Sequence, residues 1–99
     1  MSGNKFKEFY QVIKESKEFD VNYYISKYPD VEKFDGDPIC HYIKIGAKKM
    51  YNPSPDFNTF FYIYAHGDIL RIIKNVGFDE FNPFVHYIRF GKSHIFYYS

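Results

Sequence analysis

The chain has no tryptophan, one cysteine (Cys40) and one leucine (Leu70). A lone cysteine excludes an internal disulfide and any zinc site built on cysteines. There is no excess of one charge: 13 Lys and Arg stand against 12 Asp and Glu, interspersed along the sequence. A dedicated nucleic-acid binder carries a marked basic surplus, so that class starts at a disadvantage. No apolar run reaches the length of a signal peptide or a membrane span, and the expectation is a cytoplasmic or otherwise intracellular protein, a virion component included, with no membrane contact. Gly-x-Ser-x-Gly, the P-loop, the dinucleotide fingerprint and His-Glu-x-x-His are also missing. The sequence therefore predicts no enzyme: no catalytic residues, no metal and no cofactor.

What is abundant is aromatic. Twelve Phe and 11 Tyr among 99 residues give apolar surface enough to exclude disorder and to fill the core of one small domain. The preference for Ile, Lys, Asn, Tyr and Phe matches AT-rich codons and reads as genomic bias, consistent with an AT-rich bacterium, archaeon or large DNA virus.

The aromatics are ordered in two passes. Phe19-Asp20-Val21-Asn22-Tyr23-Tyr24-Ile25 leads to Tyr28-Pro29-Asp30-Val31, then Pro38, His41-Tyr42 and Gly46. Phe57-Asn58-Thr59-Phe60-Phe61-Tyr62-Ile63 leads to His66-Gly67-Asp68-Ile69, then Pro83, His86-Tyr87 and Gly91. The offset is 38 residues at Phe19 and Phe57 but 45 at His41 and His86, which places a seven-residue insertion near Lys74 to Glu80. A tandem repeat is the direct reading, and repeat units bury their apolar faces against one another.

The periodicity is helical. Phe6, Phe9, Tyr10 and Ile13 make an amphipathic stripe at i, i+3, i+4 and i+7, a first helix expected to cap one end of the stack. Asp20 and either Asp56 or Asn58 are N-cap candidates, and Asp37-Pro38 and Asn82-Pro83 join a capping side chain to proline at the first helical position. Gly46, Gly77 and Gly91 are expected helix stops. Asp30 and Asp68, each ahead of an apolar turn, are read as further N-caps rather than as a catalytic carboxylate pair. The prediction is an all-α domain in one unit over 1–99: a capping helix (1–18) and two three-helix repeats (19–56 and 57–99). Tyr23, Tyr24, Tyr42, Phe61, Tyr62 and Tyr87 are its expected core.

This pattern resembles a short aromatic repeat, Phe-Asp-x-x-Tyr-Tyr followed by Pro-Asp-Val and Pro-x-x-His-Tyr-x-x-x-Gly. Such repeats stand beside bacterial glycosyltransferase domains and in bacterial surface and viral proteins. The resemblance covers Phe19 to Gly91 and implies a fold, not an activity. The family's Glu-Gly-Arg after the glycine is replaced here by Ala47-Lys48-Lys49 and by Lys92-Ser93-His94.

Three surfaces stand out. His41 and His86 recur with the motif and are expected to bond backbone or a nearby carboxylate, fixing the fold. Ile95, Phe96, Tyr97 and Tyr98 end the chain as an apolar cluster, a candidate contact with a second copy or another protein. Lys44, Lys48, Lys49 and Tyr51, echoed by Arg89 and Lys92, are the candidate nucleic-acid contacts, with tyrosines to stack on bases and cations to meet phosphates. The expected role is a non-catalytic structural or protein-interaction module that self-associates or docks on a protein. A nucleic-acid accessory protein and a glycan-binding adaptor, with tyrosines stacking on sugar faces, are the alternatives.

Overall fold

The computed structural model describes residues 2–91. Helix α1 (Ser2–Ser16) is followed by α2 (Val21–Lys27), a 3-10 turn (Pro29–Lys33), α3 (Pro38–His41), α4 (Thr59–Ala65), α5 (Gly67–Val76) and α6 (Pro83–His86). Helices α3 and α6 each run on into a widened π turn, Tyr42–Gly46 and Tyr87–Gly91. There is no strand among the described residues; the fold is all-α.

Helix starts follow local chemistry. Asp20 accepts from the Tyr23 N–H and Asn58 from the Phe61 N–H, each satisfying an orphan donor of the first turn. Asp37 accepts from Cys40 N–H at 2.9 Å, and Asn82 from Phe84 and Val85 N–H at 3.0 and 3.1 Å, each ahead of a proline. Asp30 and Asp68 do not cap. They sit inside the first turns of their elements, whose cap positions are Tyr28 and His66.

Gly77 stops α5 in the left-handed region (φ 82°), as its position predicts. Gly46 and Gly91 do not act as left-handed stops; the turn after Gly46 is completed by Met50 at φ 64°. Their smallness is used for close approach. A Cβ on Gly46 would lie 2.1 Å from the Tyr24 hydroxyl oxygen, and one on Gly91 would lie 2.6 Å from that of Tyr62.

The core is built from corresponding residues of the two halves. Phe19 packs on Tyr24 and Tyr42, and Phe57 on Tyr62 and Tyr87. Tyr42 meets Phe84 edge-on, and Phe57 meets Phe84 at 5.0 Å, so the halves share one aromatic cluster. The Asp20 N–H donates to the Pro53 carbonyl and ties the connector back. Helix α1 packs against α3, α6 and both π turns, lying across the two halves rather than at one end, with Phe9 and Ile13 buried. Two expected core residues differ. Phe61 is 66% exposed, and Tyr23 is only half-buried, with Lys27 over its ring. The caps set the helical phase, so Thr59, Tyr62 and Ile63 turn inward and Phe60, Phe61 and Tyr64 turn out.

Candidate functional site

Each half holds a tyrosine–histidine pair. Tyr24 Oη lies 2.7 Å from His41 Nδ1, and Tyr62 Oη lies 2.7 Å from His86 Nδ1. His41 is 1% exposed. Its Nε2 faces Asp30 Oδ2 at 3.3 Å, and Asp30 also accepts from the Tyr51 hydroxyl at 3.0 Å and lies 3.8 Å from Lys49 Nζ. With Asp30 on Nε2, the neutral ring carries its proton there, and Nδ1 accepts from Tyr24. His41 therefore does bond a neighbouring carboxylate. In the second half Asp68 influences His86 through its charge, and its carboxylate accepts from the Ile69 N–H.

Burial controls the protonation of this network. Desolvation pushes both His41 and His86 below the ordinary imidazole value, outweighing the pull of Asp30 and Asp68. Burial likewise lifts Tyr24 and Tyr42 well above the ordinary phenol range. Asp30 is held below the usual carboxylate value: desolvation works against it, and the Tyr51 hydrogen bond, a backbone hydrogen bond, His41 and Lys49 together prevail. A neutral imidazole wedged between a tyrosine and a carboxylate, with Phe34 edge-on at 5.1 Å, fixes the 3-10 turn to α3. Among the described residues no group of three or more His, Cys, Asp or Glu is placed to hold a metal ion.

Four of the six candidate nucleic-acid residues make contacts within the chain. Tyr51 stacks on Tyr28 with centroids 3.8 Å apart and planes 5° from parallel, leaving that face closed to a base. Lys49 lies over the Tyr51 ring and beside Asp30; Lys44 lies over Phe6 at 5.0 Å. Arg89 pairs with Glu8 at 2.7 Å. Lys48 is exposed. Lys92 and the apolar cluster Ile95, Phe96, Tyr97 and Tyr98 lie outside the described residues.

A surface that the sequence reading missed lies on α4. Phe60 is 55% exposed and Tyr64 51%, with rings 4.5 Å apart one turn from each other, and Phe61 stands beside them. No charged residue occurs in Thr59–Ala65. On α2 the corresponding positions hold Asn22 and Ser26, both exposed. The signal was present in that difference: α2 forms with polar residues at the positions where α4 carries Phe60 and Tyr64. On α5, Ile72 and Val76 are a further exposed apolar pair one turn apart.

No family model, curated protein or solved structure matches the chain. No helix of the described residues is long and apolar enough to cross a membrane.

Proposed function

We propose that this protein is a non-catalytic structural or interaction module, a duplicated three-helix aromatic unit that self-associates or docks on a protein partner. The observation that carries this reading is the exposed, uncharged aromatic face of α4. Three large rings held in water are a contact surface or an aggregation hazard, and aromatics dominate the centres of protein interfaces. The near-zero net charge lets copies approach without strong repulsion. Internal use of Tyr51, Lys44, Lys49 and Arg89 weakens the nucleic-acid alternative. The histidines serve the core in this reading.

Light scattering on a sizing column, across a concentration series, tests it. The wild-type chain is expected to be oligomeric. The double variant Phe60→Asn with Tyr64→Ser, which copies the polar residues of α2, is expected to be a folded monomer. A chain lacking residues 95–99 measures separately what the terminal cluster adds. A wild-type monomer at every concentration would overturn self-association. Salt-sensitive binding of an oligonucleotide would favour the nucleic-acid reading.

A further inference from the structure

In the second half, two imidazoles hold one tyrosine of α4. His66, at the start of α5, has its Nδ1 2.7 Å from the Tyr62 carbonyl oxygen and its ring 4.7 Å from the Tyr62 ring. His86, on α6, takes the Tyr62 hydroxyl on its own Nδ1 at 2.7 Å. The first half is built differently. At the offset of 38 residues that separates Phe19 from Phe57, Tyr28 stands in the place of His66, and its hydroxyl accepts from the Asn52 N–H. His41 is then the one imidazole at that position, and Asp30 lies 3.3 Å from its other nitrogen. Among the described residues no carboxylate makes such a pair with His86.

Protons therefore meet the two halves unequally. His41, once charged, finds a carboxylate already in contact. His86, once charged, has given up water on burial and has the charge of His66 working against it. The groups around it do not supply the missing partner. Helix α4 has no charged residue in Thr59–Ala65. Lys5 and Glu8 of α1, Glu80 ahead of α6 and Arg89 of the π turn line one cleft with His86. Glu8 and Arg89 pair with each other at 2.7 Å, and Lys5 offsets Glu80. Asp68 of α5 is left, one carboxylate for two imidazoles. We propose that Tyr62 and its two histidines form an acid-sensitive clasp: at mildly acidic pH, α4 loses its hold on α6 before the first half opens. The sign follows from burial. His86 lies below the ordinary imidazole value of 6.5, so the opened state binds protons more strongly, and stability present above that pH is lost as pH falls. Because Phe60, Phe61 and Tyr64 ride on α4, the clasp sets how firmly that face is held.

Hydrogen exchange of the full chain tests the clasp, read by NMR at pH 7.5 and 5.5 and corrected for the intrinsic exchange rate at each pH. The Tyr62 and His86 amides, bonded to the Asn58 and Asn82 carbonyls, correspond to the Tyr24 and His41 amides, bonded to those of Asp20 and Asp37. On acidification the second pair is expected to lose roughly tenfold more protection than the first-half pair. His66→Tyr, which copies the first half, and His86→Gln should each bring the two halves to within about threefold of one another. If His86→Gln does not fold, His66→Tyr alone decides. Equal losses in both halves, a larger loss in the first, or an acid response unchanged by the variants would overturn the inference. These amides report opening without any association, so that failure would leave the proposed function standing, and a monomeric wild-type chain would leave the clasp standing.

Discussion

At the scale of single residues, the tyrosine–histidine–glycine contact sets the tolerances. Gly46→Ala would push a methyl into the Tyr24 hydroxyl, and overpacking of this kind costs about 1–3 kcal/mol or more. In a Tyr24→Phe background the hydroxyl is gone, so the two substitutions should be non-additive, with part of the alanine's cost recovered. Chemical denaturation of the two single variants and the double variant measures this. Additive losses would mean that the close approach does not limit the site. Tyr24→Phe alone leaves His41 Nδ1 buried without its donor and should cost about 1–3 kcal/mol.

The same residues predict the response to pH. His41 and His86 have folded-state values below the unfolded imidazole value of 6.5. The unfolded chain therefore takes up these protons first, and stability present above that pH is lost as pH falls through it. Asp30, whose value is also lowered, extends the loss to more acidic pH. Melting temperature should fall between pH 7.5 and 5.5, and His41→Gln should flatten that decline. A melting temperature that rises on acidification would contradict the burial argument.

Helices α2, α4, α3 and α6 all begin on a side-chain cap, and the four caps are not equal. Asn58→Ala removes one hydrogen bond at an exposed site and should cost about 1 kcal/mol. Asp37→Ala removes both a cap and the tether to Tyr10, and should cost more. The ranking is read from urea midpoints of the two variants at matched conditions. Three of these starts were legible in the sequence, and that of α4 to within Asp56 or Asn58, because a cap and the N–H it accepts from lie within three residues of each other. The phase of α4 was harder. Phe60, Phe61 and Tyr64 look like core by residue type, and only the cap at Asn58 and the burial of Tyr62 and Ile63 turn them outward. The roles of Asp30 and Gly46 were not legible at all. Asp30 is defined by Tyr51, 21 residues away, and Gly46 by Tyr24, two helices back.

For the whole molecule, α1 is the joining element. It lays Phe9 and Ile13 against α3, α6 and both π turns, so its loss would uncover the two halves together. Ile13 is fully buried, and Ile13→Ala should cost about 2–5 kcal/mol. Against a total stability of about 5–15 kcal/mol for such a domain, that is a large fraction. Thermal unfolding followed by circular dichroism would show it as a markedly lower midpoint, whereas Glu8→Gln, which breaks a half-exposed ion pair with Arg89, should change little. A small effect of Ile13→Ala would mean that α1 is an appendage.

The sequence by itself determined the all-α class, the helix starts at Asp20, Asp37 and Asn82, and the stop at Gly77, because each depends on neighbours a few residues apart; the start of α4 it narrowed to Asp56 or Asn58. The order of Phe, Tyr, His and Gly is also written twice along the sequence. Only the tertiary structure decided that Asp30 serves His41 and Tyr51, that Gly46 and Gly91 make room for hydroxyls, and that α1 spans both halves. It also decided that the α4 rings face water and that two histidines meet at Tyr62. Those outcomes depend on which distant side chains meet when the helices pack, and residue type and local spacing carry no record of that.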